Sequence, residues 1–368
     1  MKAICVFCLV LTLLFINLPF HVEPVKAEGA DGAEWIQLPD NWLPYGIDYD
    51  AVHDVMWVSL YGTCGIAKVN CADKTYEAYW FLGYPLEIYE GGKYIAYVPE
   101  VNKVYISDHN ATVFDVESCT FERLYIGSRC MAYYQGYVWY HTPYNESYSS
   151  LVKLDPHTNT IVNTYPMYLG CFDGYWGVVA YIAGYNNAIW MSEIFGGSIL
   201  RFDIATEQIT QTCSGFNRPL GLAFNGDYIY VAECSHGPNT DIIKTYEIST
   251  NTVIETLYLP VTYTEGQDGV AYLCLDSNKN LRWTDGTKHY GIISTTTLYT
   301  AVYTSLCPYN HCLEERPNNS TIWFSAKGSS YIGIRQEEKF RQPDLNNDTI
   351  VNILDAVVIS RNAGKTIE

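Results

Sequence analysis

Ala188-Ile-Trp-Met-Ser-Glu193-Ile-Phe-Gly-Gly-Ser198-Ile-Leu-Arg-Phe-Asp203 carries the pattern that decides the fold. A hydrophobic strand ends in a polar or acidic residue, a hairpin follows, and a second strand closes on Asp. The first half of this phrase returns at Trp57-Val-Ser-Leu60, Tyr105-Ile-Ser-Asp108, Trp139-Tyr-His-Thr142, Tyr230-Val-Ala-Glu233, Arg282-Trp-Thr-Asp285 and Trp323-Phe-Ser-Ala326. The second half returns as a polar lead and a five-residue step to the next strand, with leads at Asn70, Asp115, Asp155, Asp203, Glu247 and Thr295. Successive leads lie 40 to 48 residues apart. Self-similarity at this period, with turn residues between short alternating strands and no helical periodicity between 34 and 340, predicts an all-β propeller of seven blades.

Each blade also has a weaker opening strand, clearest at Leu43-Pro-Tyr-Gly-Ile47 and Arg218-Pro-Leu-Gly-Leu222. Glycine is expected there because the innermost strands crowd the axis. The last blade runs into charged sequence after Tyr331-Ile-Gly-Ile-Arg335, while Glu34-Trp-Ile-Gln-Leu38 has the character of an outer strand without a blade. The N-terminal strand is therefore expected to complete the final blade and remove an exposed edge.

The chain opens as a secretory leader: Lys2, an apolar run from Ala3 to Ile16, and small residues Val25 and Ala27 before a cleavage site. The run stops at Asn17 and Pro19, short of a membrane span. The expected organisation is a signal peptide over 1–27, a propeller over 28–340 and a short module over 341–368, with export to the cell surface or beyond. With 40 acidic against 22 basic residues and a net charge of −18, the surface repels nucleic acid and suits cations. Cys5 and Cys8 fall in the leader. The ten remaining cysteines permit disulfides in an exported chain, with Cys64 to Cys71 and Cys307 to Cys312 the shortest loops. Sequons stand at Asn110, Asn145, Asn318, Asn319 and Asn347.

Residues 188–203 and 218–233 resemble blades of the virginiamycin B (streptogramin) lyase family, most strongly over 170–260. The resemblance implies a lyase that opens a cyclic depsipeptide ester by elimination, with Mg²⁺ and a histidine base at the central mouth. On this chain it points to the strand-terminal acids Asp108, Glu193, Glu233 and Asp285. His236 is the first candidate for the base, and His141 and His289 are others. The catalytic set it implies is Glu193, Glu233 and His236. Hard oxygen ligands suit Mg²⁺ or Ca²⁺.

The tail holds a sharper motif. Asp344, Asn346, Asp348, Asn352 and Asp355 occupy positions 1, 3, 5, 9 and 12 of an EF-hand loop, and Ile350 supplies the backbone carbonyl of position 7. A predicted amphipathic helix follows through Leu354, Val357 and Val358 and ends at Gly364. With Asp at the twelfth position and Val-Asn at the eighth and ninth, the segment resembles a dockerin type I repeat. That implies Ca²⁺ and a cohesin-like or cell-surface partner. Position 6 is Thr349 rather than Gly, and one repeat is present where dockerins carry two. The functional expectation is a tethered recognition propeller. The alternatives are a metal-dependent lyase and a polysaccharide-active or sugar-binding component using some of the 33 tyrosines and 9 tryptophans.

Overall fold

In the computed structural model each repeat becomes a four-stranded antiparallel sheet. The structure describes residues 20–22, 25–28, 33–80, 94–107, 110–144, 148–167, 171–172, 175–176, 179–234, 241–259, 271–286, 289–295, 300–304, 310–317, 321–326 and 329–336. The chain separates into two compact units, Met1–Arg335 and Gln336–Glu368, and the propeller lies in the first. The innermost strands of blades 1 to 7 are Pro44–Asp50, Ile95–Val98, Cys130–Tyr134, Val179–Tyr185, Pro219–Asn225, Tyr272–Leu275 and Asn310–Arg316. Each touches the next, and the seventh touches the first, so the ring is closed.

The expected closure is present. Glu34–Gln37 pairs antiparallel with Tyr331–Gln336, placing Trp35 opposite Gly333, and becomes the outer strand of blade 7. Trp35 is fully buried and meets Phe324 edge-on at 5.1 Å and Tyr331 at 6.4 Å. A polar clamp adds to it: Arg316 Nε donates to Asp54 Oδ1 at 2.6 Å, its Nη2 donates to Oδ2, and Tyr49 donates to Oδ1 at 2.9 Å. The Arg316 hydrogen bonds hold the Asp54 carboxyl below its ordinary range. Two short strands near the N-terminus add to these sheets: Phe20–Val22 pairs with Tyr76–Ala78 of blade 1, and Val25–Glu28 pairs with Glu34–Gln37.

The repeat phrase has a structural explanation. Trp57, Trp139, Trp190, Trp283 and Trp323 stand on second strands and are fully buried between blades. The serine of the phrase is buried as well and satisfies inner-strand backbone. Ser59, Ser107 and Ser325 accept N–H bonds from Gly46, Tyr94 and Cys312, each 13 residues earlier. Ser192 Oγ donates to Leu220 O of the next blade at 2.7 Å. In the second phrase the polar lead caps its turn: Asp203 accepts from Ala205 N and Thr206 N at 3.1 and 3.0 Å, and Asn70 accepts from Ala72 N at 2.8 Å. Four residues after the lead the backbone is left-handed in every blade from 1 to 5, at Lys74, Cys119, Asn159, Glu207 and Asn251. The glycine expectation also holds at Gly221. A Cβ there would lie 2.7 Å from Ala271 O and 2.8 Å from Leu273 N, the backbone of the adjoining inner strand.

One of the cysteine pairings that the sequence leaves open is excluded. Cys64 and Cys71 flank the strand Gly65–Asn70 at opposite ends. At ~3.3 Å per residue they stand roughly 23 Å apart, far beyond the ~7 Å limit for a disulfide.

Candidate functional site

Innermost strands begin, and second strands end, on the same face of the ring. Glu193, Glu233 and Asp285 therefore reach this face from the consecutive blades 4, 5 and 6. Their surroundings differ. Glu233, 1% exposed, forms an ion pair with Lys244 Nζ at 2.6 Å, and its Oε1 also accepts from Asn217 N at 2.9 Å. A carboxylate bound to an ammonium in this way does not offer the oxygen that Mg²⁺ asks for. Asp285 accepts from the backbone N of His289 at 3.0 Å and pairs with His289 Nδ1 at 2.7 Å. It orients that imidazole across the hairpin. Glu193 is buried, and its Oε1 accepts no hydrogen bond. Burial raises its carboxyl above the ordinary range, and a bond from Gly196 N–H opposes that. A Cβ at Gly196 would fall 2.1 Å from Glu193 Oε2, so this glycine lets the turn lie directly on the acid.

His141 is corrected from a strand-end residue to a core residue. Its strand continues to Tyr144, the side chain is fully buried, and neither ring nitrogen has a hydrogen-bond partner. Burial, helped by the charge of Arg129, pushes its pKa down to about 3, so it is a neutral imidazole rather than a poised base. Asp108, His236 and the expected calcium-loop residues Asp344, Asn346, Asp348, Ile350, Asn352 and Asp355 lie outside the described residues. Trp35, Trp57, Trp139, Trp190, Trp283 and Trp323 are fully buried and serve as blade core.

The axis holds a second group that the strand-end phrase does not reveal. Tyr94 donates to Ala180 O at 2.8 Å, so its oxygen accepts from Tyr272 at 3.3 Å, which in turn accepts from Tyr45 at 3.2 Å. This chain of hydroxyls crosses the axis from blades 1, 6 and 2 to blade 4. Burial pushes Tyr94 and Tyr272 well above ordinary phenols, which keeps them protonated. Beside it lies a cavity of about 510 Å³ lined by inner strands of blades 1, 2, 3, 4, 6 and 7. Asp48 and Glu314 face it from the adjoining blades 1 and 7, and Tyr181 faces it from blade 4. Burial raises Asp48 to about 7 despite N–H bonds to its two oxygens from Tyr97 at 2.6 Å and Tyr49 at 3.0 Å. Glu314 is raised well above its ordinary value by burial first, then by the charges of Asp48 and Glu315. The available signal was an acid inside an apolar inner strand, Pro44-Tyr-Gly-Ile-Asp48.

Among the described residues no group of three or more His, Cys, Asp or Glu side chains is placed to hold a metal ion. No protein-family model matches the chain, and no curated protein matches it. Solved structures do. A streptogramin B lyase superposes with a TM-score of 0.66 at 16% identity, covering 83% of this chain and 97% of that one. The selenomethionine-substituted virginiamycin B lyase from Staphylococcus aureus gives 0.65 at 14%, covering 83% and 99%. The WD40 propeller domain of Doa1 gives 0.61 at 12%, covering 82% and 96%. At these identities the likeness is one of fold, and the chain is a seven-bladed β-propeller with the architecture of streptogramin lyases and WD40 domains.

Proposed function

We infer that this protein is an exported recognition propeller, held at a cell surface or in an extracellular complex by its calcium-dependent, dockerin-like tail. The observation that carries the reading is the state of the strand-end acids. Glu233 is neutralised by Lys244 and bound to Asn217 N, and Asp285 is committed to His289. The repeated acid thus acts chiefly as a fastener between strands and loops, which leaves the faces of the ring to bind a partner. The tail supports tethering through its five oxygen-bearing side chains at EF-hand spacing. The test is a pull-down of the full chain against a cell-surface fraction. Capture in Ca²⁺ and release by chelator supports the reading, and identical capture in both conditions, or none in either, defeats it.

A second reading, the metal-dependent lyase, is favoured by Glu193, a buried acid with an uncommitted oxygen on the mouth face. Incubation with a streptogramin B ester and Mg²⁺ would then give ring-opened product, and Glu193→Gln would abolish it. Intact ester after prolonged incubation removes this reading.

A further inference from the structure

The closure seam carries a feature that neither the mouth nor the tail accounts for. Among the described residues, the sheets of blades 1 and 7 have five strands where those of the other blades have four. The fifth strand of blade 1 is Phe20–Val22, set against Tyr76, Glu77 and Ala78. That of blade 7 is Val25–Glu28, set against Glu34 to Gln37. Only Glu23 and Pro24 separate the two in the chain. Three residue steps reach at most ~11 Å, so two outer edges of neighbouring blades lie within the span of one short peptide.

These edges suit a further strand. Tyr76–Trp80 and Glu34–Gln37 pair with their inner neighbours without a shift of register, so the backbone groups along each edge form a regular row. The outer strands of blades 3, 4 and 5 each hold an extra residue instead, Val162, Thr210 and Ile254, which breaks that row. A bulge of this kind twists an edge away from further pairing. The ring thus blunts three of its edges with bulges and covers two with its own chain.

The covering strands belong to the expected leader. Cleavage after Ala27, the position that Val25 and Ala27 mark, would remove Phe20–Val22 and all of the second strand but Glu28. Two regular edges would then stand side by side, and such edges bind extended chains through main-chain hydrogen bonds. The register indicates which chain fits. Apolar Phe20, Val22, Val25 and Ala27 alternate with polar residues, and the basic positions are His21, which stands opposite Glu77, and Lys26. The net charge of −18 favours a basic partner in the same way.

We propose that the outer edges of blades 7 and 1 form one strand-accepting site, which on the exported protein takes an extended partner segment alternating apolar with basic residues, in the place held here by residues 20–28. The site depends on export with cleavage, which extends the function proposed above, but neither on calcium nor on the tail.

The test is fluorescence-anisotropy titration of a labelled peptide, Phe20 to Ala27 with blocked ends, onto the chain 28–368 and onto the chain 20–368. Saturable binding to 28–368, unchanged by chelator, is expected, with binding to 20–368 at least about tenfold weaker because its own strands already fill the edges. A His21→Glu peptide places like charges across from Glu77 and should bind about two- to fivefold more weakly. Along one edge only alternate residues donate their N–H groups. Peptides N-methylated at His21 or at Val22 should therefore differ several-fold in affinity. Should the shortened chain fail to fold, the chain 20–368, cut after folding at a protease site built into residues 29–32, takes its place, and the peptide is expected to displace the cut segment. No binding to the opened chain, equal binding to intact 20–368, or equal affinity of the two methylated peptides would overturn the proposal. So would a dimer of 28–368 in light scattering that excludes the peptide, which would assign the edges to a second copy. N-terminal sequencing of the exported protein tests the cleavage separately: a chain that still begins before Phe20 keeps its edges covered and overturns the partner, whereas failure of the calcium pull-down leaves this site untouched.

Discussion

Replacing Lys244 by methionine tests whether the strand-end acid of blade 5 is a structural fastener. The ammonium sits 2.6 Å from Glu233 Oε1, donates to Gly215 O at 2.9 Å and lies 5.5 Å from the centre of the Phe216 ring. The carboxylate in turn accepts from Asn217 N at 2.9 Å. Three consecutive linker residues between blades 4 and 5 are therefore tied to the second and third strands of blade 5. Methionine keeps much of the apolar stem and removes the charge, leaving a carboxylate only 1% exposed with one backbone N–H. Removing one partner of a buried ion pair costs about 3–5 kcal/mol. Lys244 retains 17% of its surface, so water reaches part of the site and a figure near ~3 kcal/mol is expected. At roughly 2–4 °C per kcal/mol for domains somewhat smaller than this one, ~3 kcal/mol corresponds to a fall in the melting midpoint of at most about 6–12 °C. The Glu233→Gln, Lys244→Met double variant buries no charge and should recover most of the loss. Calorimetry at neutral pH on the four proteins of this cycle decides it. An unchanged midpoint in Lys244→Met, or a double variant as unstable as the single, would refute the reasoning.

His141 makes the pH response of the fold readable. Its folded value of about 3 lies below the 6.5 of an ordinary histidine, so stability is fully present above pH 6.5 and is lost as pH falls from there, by up to about 1.4 kcal/mol per unit. Asp48 acts oppositely: raised from 3.8 to about 7, it makes the fold less stable as pH rises through that window. His141→Leu should therefore gain on the natural protein in thermal midpoint between pH 7 and pH 5, and parallel pH profiles would contradict this. Trp35→Ala, at the strand that closes the ring, should cost about 3–5 kcal/mol by denaturant titration; a loss under ~1 kcal/mol would mean that closure adds little. Gly221→Ala drives a Cβ into backbone that cannot swing aside and should cost about 1–3 kcal/mol, whereas a neutral result would show that inner strands of blades 5 and 6 can part.

Local chemistry was legible in the chain wherever partners lie within one repeat. The turn leads Asn70, Asp115, Asp155 and Asp203 cap hairpins because an acceptor side chain needs only the next few N–H groups, and Glu247 accepts from the Thr250 hydroxyl in the same turn. The buried serines bind backbone 13 residues away, also within a blade, and this was readable as a recurring letter without its reason. His141 was misread because its burial comes from blade packing, and a strand end in sequence need not be a strand end in space.

Periodicity, turn chemistry and the orphan strand Glu34-Trp-Ile-Gln-Leu38 were enough to determine seven blades and their closure, since each rests on alternation and hydrogen bonding over short separations. The state of each ionisable group was decided only by tertiary structure. Glu193, Glu233 and Asp285 end similar strands, yet one is left with an unpaired oxygen, one meets Lys244 and one meets His289. Asp48 and Glu314 lie far apart in the chain and come to the same cavity because the seventh blade adjoins the first. Charge and desolvation act through space, and the ring sets those distances only once it has closed.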